Sequence, residues 1–340
     1  MRYDVPVYLS LPTVVLGERA ESAAAAVAAG RLSQEAADLY GYRELTASDL
    51  AAVQLAERAA ATALERARIS PAEVDRLFHA WTYHQGHEFW SPAHYLANQL
   101  GADRAVPIGI QQMCNGGMAA IDAAAHELVA DRETTLALVT TGDRFAEPGF
   151  DRWGDLGVAY GDGATAVLVS RTPLGPAVRL LSCVTVAASG LEGMHRGVEP
   201  FSPAPRSGSE QLRPARTKRQ FAENQPAMDF GKTAVALVAD LITSSLGQAG
   251  IAADDPRLIG VTLPRLAEHT LEKVYIPAVQ AACPALALDL GRDTGHLGAG
   301  DSVANLAHLF SSGQQYPGKL LVLLGAGAGF TWSAAVVEML

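Results

Sequence analysis

The sequence has little positive charge and no long apolar run. Lysine and arginine number 26 against 36 aspartate and glutamate residues, so the formal net charge is −10 at pH 7. A protein whose main partner is nucleic acid needs a positive surface for the phosphates, so no nucleic-acid partner is expected. No segment approaches the length of a membrane span, and the start MRYDVPVYLSLP is unlike a signal peptide. We therefore expect a cytoplasmic protein with no membrane partner.

Cysteine is scarce as well, and the histidines do not form a metal-binding pattern. The three cysteines are Cys114, Cys183 and Cys283. They lie far apart without a CxxC pair, so no disulfide framework is expected. A cluster of possible ligands is formed by His84, His87, Glu88 and His94. Because it has neither a cysteine pair nor an HExxH spacing and is rich in aromatic residues, we expect no metal site.

The 340 residues are 49% apolar, which is enough for one large core or for two ordinary ones. Apolar segments typical of buried strands alternate with segments of helical periodicity. The first half has predicted helices over 48–68 and 115–129 and predicted strands over 74–80, 105–110, 134–142 and the end of 157–170. The second half has predicted helices over 231–250 and from 302, and predicted strands over 258–263, 319–327 and at the end of the chain. This alternation favours α/β sheets covered by helices.

The second half repeats the order and spacing of the first. Leu77 precedes Cys114 by 37 residues, and Gly260 precedes His296 by 36. These matched intervals predict an internal duplication with a period of roughly 170 residues, too long for a solenoid repeat. The predicted halves are residues 1–172, with an aromatic loop over 81–95, and residues 173–340, with an inserted loop over 190–226.

Cys114 stands where a predicted strand turns into a predicted helix. The start of a helix stabilises a thiolate through its free N–H groups and the helix dipole. The next residues are Asn-Gly-Gly, which are small enough to let a substrate approach. A cysteine without such a setting is more often a structural residue, and we assign Cys183 and Cys283 to that group. The setting predicts that Cys114 is a reactive nucleophile.

His296, in the sequence GHLGAGD, falls in the second half where Cys114 falls in the first. A pseudo-twofold axis between the halves would bring these two positions together, although they are 182 residues apart. His296 is therefore a candidate base, with a purely structural histidine as the alternative. Asp301 precedes a predicted helix and has two interpretations, an N-cap of that helix and a partner that orients His296.

Two further features can serve a thioester substrate. The glycine turn Gly325–Gly329 can aim a backbone N–H at the thioester oxygen, with the N–H of Cys114 as the second donor of an oxyanion hole. The alternative is a tight turn that only requires glycine. A local run of basic residues can bind the phosphates of coenzyme A or an acidic carrier protein, or it can simply face solvent. Its members are Arg206, Arg213, Arg216, Lys218 and Arg219.

Together, these motifs resemble the ketosynthase III branch of the thiolase superfamily over nearly the whole chain. The similar segments are TASDLAA, AEVDRL, QLGADRAVPIGIQQMCNGGMAAIDAA, GDGATAVLVS, AMDFGKTAV and GAGAGFTWSAAVVEM. The resemblance implies a five-layered αβαβα thiolase fold built from two duplicated halves, a homodimer, and no permanently bound cofactor. It implies that Cys114 takes acyl groups from coenzyme A or acyl carrier protein thioesters. It also places the second oxyanion donor at the N–H of Ala328, and Phe89 in a segment that reaches the partner's acyl pocket.

The sequence departs from the condensing enzymes of this branch at two positions. Their catalytic histidine lies in a Pro-His-Gln-Ala-Asn-like motif, which matches Pro264-Arg265-Leu266-Ala267-Glu268 here. His269 is close to this motif but out of register. Their catalytic asparagine corresponds to His296. The remaining set of cysteine, histidine and aspartate resembles ketosynthase III-like acyltransferases of polyketide pathways, including the malonyl ester-forming enzymes of cervimycin-type assembly.

The sequence thus predicts O-acyl transfer by a ping-pong mechanism. An acyl group, with malonyl as a candidate, would pass from the thioester donor through acyl-Cys114 to a hydroxyl of a natural-product acceptor such as a sugar. His296, oriented by Asp301, would take the proton of that hydroxyl. One alternative is a condensing or starter-unit-selecting ketosynthase III, and another is a catalytically silent partner subunit of a synthase.

Overall fold

The strands of the protein follow the apolar segments of the sequence. A computed structural model describes residues 2–198, 200–202, 211–313 and 316–340. Its strands are β1 (Arg2–Leu16), β2 (Arg19–Ser22), β3 (Glu44–Ala47), β4 (Arg76–Ala80), β5 (Val106–Ile110), β6 (Leu136–Asp143), β7 (Gly163–Ser170), β8 (Ala177–Ala187), β9 (Leu258–Thr262), β10 (Leu286–Leu288), β11 (Leu320–Gly327) and β12 (Thr331–Met339). The strands β2 and β3 form a small separate antiparallel sheet, and the others form one large sheet.

The helices lie between these strands. They are α1 (Ala23–Ala28), α2 (Gln34–Tyr40), α3 (Ala52–Ala67), α4 (Pro92–Leu100), α5 (Gly116–Ala130), α6 (Gly193–Arg196), α7 (Pro214–Asn224), α8 (Phe230–Ala249), α9 (Glu268–Thr270), α10 (Ile276–Ala282) and α11 (Asp301–Ser311). A π-helical turn over Leu271–Tyr275 joins α9 to α10. None of the described helices is both long enough and apolar enough to cross a bilayer.

Local sequence signals set the ends of several helices. Helix α8 begins after Asp229, whose side chain accepts a hydrogen bond from the N–H of Lys232, and ends at Gly250 in the left-handed conformation. Helix α3 is an exception to the predicted start at residue 48, because it begins at Ala52. Ser48 does not act as its cap, since the Ser48 hydroxyl donates to Glu18 instead.

The large sheet has ten strands, in the order β10-β9-β11-β12-β8-β1-β7-β6-β4-β5. Counted from the centre, β8-β12-β11-β9-β10 repeats β1-β7-β6-β4-β5 position by position. In each half the two outermost pairings are parallel and the next two are antiparallel. The two halves meet where β1 and β8 pair antiparallel. The predicted duplication is therefore visible in the order and direction of the strands.

Three apolar clusters arrange the helices and the sheet in five layers. Helices α5 and α11 lie between the two halves of the sheet, where Ile121 and Val303 contact inward-facing strand residues such as Val139. Helices α3 and α4 cover the outer face of the first half, which includes Leu138. Helices α8 and α10 cover the outer face of the second half, which includes Val322. Neighbouring strand residues point to opposite faces, so each half of the sheet is buried on both sides. This is the predicted αβαβα arrangement.

Two segments that the sequence analysis treated as loops contain helices. Within 190–226, α6 and α7 are helical and contact each other, and Phe221 of α7 is buried. Pro214, one of the prolines of this segment, sits in the first turn of α7, where its missing N–H has no helical partner to lose. Residues 199 and 203–210, with Arg206 among them, lie outside the described residues. The aromatic segment 81–95 is irregular only as far as Ser91, the N-cap residue, because α4 begins at Pro92.

Candidate active site

Cys114 lies on the sharp connection between β5 and α5, two residues before the helix begins. The preceding residue, Met113, has a left-handed φ of 49°, and Cys114 itself is half-buried. The hydroxyl of Thr82 lies 3.9 Å from the Cys114 sulfur. At Gly117, in the first turn of α5, a Cβ atom would lie 2.3 Å from the carbonyl oxygen of Ala299. Glycine is therefore required where the helix that follows the cysteine meets the other half of the protein.

His296 and Asp301 form a buried pair in the second half. The Nδ1 atom of His296 lies 2.6 Å from a carboxylate oxygen of Asp301. The same carboxylate accepts the backbone N–H groups of Leu297, at 2.8 Å, and Arg265, at 2.7 Å. The N-cap position of α11 is Gly300, so the Asp301 side chain turns back toward the histidine rather than capping its own helix. The geometry thus favours the orienting interpretation of Asp301 over the capping one.

The charges around His296 shift its pKa upward. Burial would lower the pKa of His296. The Asp301 carboxylate and Cys114, each of which accepts a hydrogen bond from the ring, instead hold this pKa well above its ordinary value. Burial would raise the pKa of Asp301, but the charge of His296 and its hydrogen bond hold it below its ordinary value. Because Asp301 occupies Nδ1, the Nε2 atom is the ring nitrogen available to Cys114. The surroundings of His296 thus favour its protonated form.

Arg265 is the residue that the resemblance aligns with the catalytic histidine of condensing enzymes. Its guanidinium is buried, with Nε donating to the side chain of Asn305 at 2.9 Å and Nη1 donating to the hydroxyl of Thr294 at 2.6 Å. The side chain is therefore committed to the protein interior beside Asp301. It supports the carboxylate through its backbone N–H and does not supply a base.

Cys114, His296 and Ala328 line one cavity of about 360 Å³. Its wall is largely apolar and includes Met194, Phe230, Leu266, Val274 and Phe330. A second cavity, of about 190 Å³, also contains Cys114 and Ala328 and is lined by the rings of Phe145, Phe150 and Tyr160. The predicted nucleophile, base and second oxyanion residue are thus brought to one place. The two cavities offer one space for an acyl group and another for the rest of a donor or an acceptor.

The predicted strand over 319–327 is confirmed as β11, which continues to Gly327, so the overlapping predicted turn is limited to Ala328 and Gly329. A Cβ atom at Gly325 would lie 2.6 Å from the Cγ atom of Met118, and one at Gly327 would lie 2.6 Å from the backbone nitrogen of Asn115. These glycines are needed because the strand runs directly against the start of α5. The close approach also brings Ala328 to the wall beside Cys114.

Phe89 and the neighbouring histidines lie apart from Cys114. Phe89 is fully exposed and has a left-handed φ of 54°. It lines a cavity of about 500 Å³ along the aromatic segment, and Cys114 is not among the described residues of that cavity. His84 lies 3.5 Å from Glu88, and His94 hydrogen bonds to Ser91. In the described ranges, no group of three His, Cys, Asp or Glu side chains is arranged to hold a metal ion.

The described members of the basic run lie at or on α7. Arg213, Arg216 and Arg219 are exposed. Lys218 differs from them, because its ammonium lies 2.6 Å from the fully buried carboxylate of Asp155. Lys218 also lines the cavity of about 360 Å³ that contains Cys114. The ion pair fixes α7 over the site, and the three arginines remain as candidates for contact with donor phosphates.

The sequence analysis missed Asp143, the last residue of β6. Its buried carboxylate accepts the N–H groups of Thr82 and Tyr83, each at 2.8 Å, and of Ala299, at 2.9 Å. Burial raises the pKa of Asp143 to about 6, against these hydrogen bonds. The residue therefore ties the loop beside Cys114 to the turn before α11. Its only signal in the sequence is a carboxylate at the end of a buried strand.

Comparison with known proteins connects this geometry to a family. Residues 40–141 match the thiolase N-terminal domain, and residues 264–339 match the C-terminal domain of 3-oxoacyl-[acyl-carrier-protein] synthase III. The solved structure of the acyltransferase ChlB3 is 31% identical, covers 98% of both chains and superimposes with a TM-score of 0.89. The chain belongs to the ketosynthase III-like family of the thiolase superfamily.

Other ketosynthase III-like proteins are more distant. The β-ketoacyl-[acyl-carrier-protein] synthase III of Desulfitobacterium hafniense is 26% identical over 310 residues, covering 87% of this chain and 86% of that protein. The structure of 3-oxoacyl-[acyl-carrier-protein] synthase III from Aquifex aeolicus is 19% identical over 98% of both chains, with a TM-score of 0.77, which shows the shared fold. The predicted thiolase fold and the predicted class of ketosynthase III-like transferase are confirmed. Both condensing enzymes and an acyltransferase occur among these relatives.

Proposed function

We propose that this protein is an O-acyltransferase of a natural-product pathway of the polyketide type. It moves an acyl group, with malonyl as a candidate, from a coenzyme A or acyl carrier protein thioester through acyl-Cys114 to a hydroxyl of an acceptor such as a sugar. The observation that carries the proposal is the buried His296–Asp301 pair with its free ring nitrogen toward Cys114. The similarity to the acyltransferase ChlB3 supports the same direction.

The first step transfers the acyl group to the enzyme. The Cys114 thiolate attacks the carbonyl carbon of the donor thioester, and the N–H groups of Cys114 and Ala328 stabilise the oxyanion. The carbon–sulfur bond to the donor then breaks, and the departing sulfur takes the proton held by His296. The products of this step are acyl-Cys114, a free donor thiol and a neutral imidazole. S-acylation also removes the anionic charge of Cys114, one of the two that raise the pKa of His296.

The second step transfers the acyl group to the acceptor. An alcohol has a pKa far above neutral, so its attack requires a general base. The neutral Nε2 atom of His296 takes the hydroxyl proton while the oxygen bonds to the acyl carbon. The bond from that carbon to the Cys114 sulfur breaks, and the thiolate returns. Asp301 holds the ring in the tautomer that leaves Nε2 free and stabilises the imidazolium that forms.

Arg265 argues against decarboxylative condensation as the main reaction. Condensing enzymes of the family use a histidine and an asparagine together to stabilise an enolate. In this chain the first of these positions holds a guanidinium that is bound to Asn305 and Thr294, and the second holds His296. The set that remains is a nucleophile with one base and its orienting carboxylate, which is the requirement of acyl transfer to a hydroxyl.

The donor is proposed to approach along α7. Arg213, Arg216 and Arg219 give this helix and its start three exposed cations in a protein of net charge −10. Phosphates of coenzyme A, or the acidic surface of a carrier protein, would be attracted to such a local patch. The cavity of about 360 Å³ that contains Cys114 would then receive the pantetheine arm. Arg206 belongs to the same run but lies outside the described residues.

Incubation with malonyl- or acetyl-coenzyme A followed by intact-mass measurement tests the proposal. We expect one acyl mass per chain, none in Cys114→Ala, and an ester with the acyl group intact once an alcohol acceptor is added. A β-keto product with release of carbon dioxide would identify a condensing enzyme instead. A complete lack of adduct with every donor would point to a silent partner subunit. An adduct that maps to Cys183 or Cys283 would exclude Cys114 as the carrier.

A further inference from the structure

His195 lies beside the proposed acyl position without any role in the two steps above. It belongs to the short helix α6, which contacts α7, and its ring lies 5.4 Å from that of Phe330. His195 lines both the cavity of about 360 Å³ and the cavity of about 190 Å³, and Cys114 is a wall residue of each. The imidazole therefore stands at the junction of the two spaces that meet at the nucleophile.

The Nδ1 atom of His195 is buried and has no hydrogen-bond partner among the described residues. Burial, followed by the nearby charge of Lys218, lowers the pKa of His195 to about 4. The ring is thus neutral near pH 7, and each ring nitrogen is either a donor or an acceptor. An unpaired buried polar atom is costly, so a rotation of the ring that pairs it with a ligand oxygen in either cavity would gain the corresponding stabilisation.

The other buried polar groups of the cavity of about 190 Å³ are engaged, and Arg213 on its wall is exposed and donates through Nε to Gln211 at 2.9 Å. The Tyr160 hydroxyl donates to Asp155 at 2.6 Å, and the Thr217 hydroxyl donates to the carbonyl of Pro214 at 3.0 Å. The hydroxyl of Thr82 is directed at the Cys114 sulfur. The remaining described wall is mostly apolar and would suit any short hydrocarbon equally well. His195 is therefore the group placed to distinguish an oxygen-bearing acyl chain from a plain one.

We infer that His195 determines acyl specificity by hydrogen bonding to a second oxygen on a short acyl group bound to Cys114. The substrate class is a hydroxyacyl, oxoacyl or carboxyacyl thioester of a few carbon atoms, as the small volume beside Cys114 requires. The neutral imidazole donates to a carbonyl or carboxylate oxygen and accepts from a hydroxyl. This inference rests on the proposed formation of acyl-Cys114.

The test compares three donors with the same four-carbon skeleton: butyryl-, 3-hydroxybutyryl- and acetoacetyl-coenzyme A. The rate of acylation of Cys114 is measured by quenched-flow intact mass, with malonyl-coenzyme A as a charged arm. We expect wild type to load the oxygenated donors roughly 10-fold faster than butyryl, as the loss of one buried hydrogen bond corresponds to about that factor. His195→Phe keeps a ring against Phe330 and should abolish the preference. His195→Asn keeps a polar atom near the Nδ1 position and should retain part of it.

His308→Phe makes the same change at an exposed histidine of α11 and should leave the preference intact. Equal loading of all donors by wild type would overturn the inference while leaving the proposed function standing. If none of the donors acylates Cys114, the proposed function itself would be overturned. If His195→Phe slows every donor by the same factor, His195 has only a structural role. Should that variant fail to fold, as judged by circular dichroism, His195→Asn decides. A preference that stays at its wild-type value in this variant, with equal slowing of all donors, counts against the inference.

Discussion

The Nδ1 atom of His296 is held 2.6 Å from Asp301, by a carboxylate that is itself fixed by the backbone N–H groups of Leu297 and Arg265. These hydrogen bonds come from both sides of the carboxylate, one from the turn before α11 and one from the segment after β9. The imidazole ring therefore has one orientation and one tautomer, with Nε2 toward Cys114. This arrangement separates the two proposed steps, because a thiolate can attack without a base and an alcohol cannot.

His296→Ala should retain loading and lose transfer. The acyl group should still reach Cys114, slowed only by loss of the proton that His296 gives to the departing thiol, while discharge to an alcohol slows by roughly 10²–10⁴-fold, the range typical of a lost general base. The measurement is single-turnover transfer from pre-acylated enzyme to an accepted alcohol. Discharge at the wild-type rate would show that His296 is not the base. His269, which lines the same cavity and stacks on Tyr40, would then be the next residue to test.

Asp301→Asn should change the pH dependence of transfer. Asp301 raises the pKa of His296 while burial lowers it, so removing the carboxylate lowers the pKa. The base form is the neutral ring, so the transfer rate rises as pH increases through this pKa. The acid limb of the pH–rate profile should therefore move to lower pH in the variant, and the plateau should fall because the tautomer is no longer fixed.

A capping role for Asp301 makes a different prediction. Loss of a cap costs about 1 kcal/mol of stability and leaves the chemistry unchanged. A variant that melts slightly earlier but keeps the wild-type acid limb and plateau would show that Asp301 acts only on the helix. Urea denaturation of the same samples supplies the stability half of this comparison.

Gly327→Ala should impair loading with the fold retained. The added Cβ atom would lie 2.6 Å from the backbone nitrogen of Asn115, so the start of α5 must shift away from β11. We expect a loss of roughly 1–3 kcal/mol in the free energy of unfolding and slower acylation of Cys114. The matched control is Gly247→Ala in α8, where the added atom meets nothing within 4 Å. That variant should be more stable by up to about 1 kcal/mol, with unchanged loading.

Asp143→Asn should remove a pH-dependent part of the stability. Burial raises the pKa of Asp143 from 3.8 to about 6 in the folded state, so between these values the native protein binds more protons than the unfolded chain. Its contribution to stability therefore falls as pH rises from about 4 to about 6, by roughly 3 kcal/mol in total. The asparagine is neutral throughout and lacks this slope. Urea denaturation of both proteins at pH 4.5 and pH 7 measures the difference, and parallel slopes would contradict the shifted carboxylate.

Phe89 should lie in a homodimer interface. A fully exposed phenylalanine with a left-handed backbone conformation is unfavourable in water, and aromatic residues are enriched at interfaces. We expect a dimer mass by light scattering at micromolar concentration and at least a roughly 10-fold weaker dimer for Phe89→Ser. Phe201→Ser changes an exposed phenylalanine outside the aromatic segment and should leave the mass unchanged. A monomer mass for wild type would exclude the interface.

Much of the architecture could be predicted, because the strands and helices follow the local periodicity of the apolar residues. Helix α5 and strands β4, β5 and β6 lie within three residues of their predicted positions. The matched spacing of the halves was the more informative signal, since it paired Cys114 with His296 across 182 residues. The structure places these two side chains in one cavity. Duplication thus supplied a long-range contact that periodicity alone cannot supply.

The rest depends on contacts that have no local signature. His195 lies in a segment whose composition suggested a loop, and its importance comes only from the cavities that α6 borders. Asp143 is one carboxylate among many until the fold brings Ala299 to it. The strand β11 was predicted, but the need for glycine at Gly325 and Gly327 was assigned to a turn, because the sequence does not show that α5 lies against them. In each case a distant element decides what the residue does.

The position of the reactive pair has a consequence for symmetry. The two halves of the sheet meet at β1 and β8, and Cys114 and His296 occupy equivalent places on either side. Two separate identical chains related by a twofold axis would present the same residue type on both sides, because every position is repeated. Two cysteines or two histidines cannot provide both the attacking nucleophile and the group that transfers the proton. When both copies are joined in a single chain, each copy can mutate independently of the other. Equivalent positions can then hold different residues, which allows Cys114 and His296 to face each other across the axis.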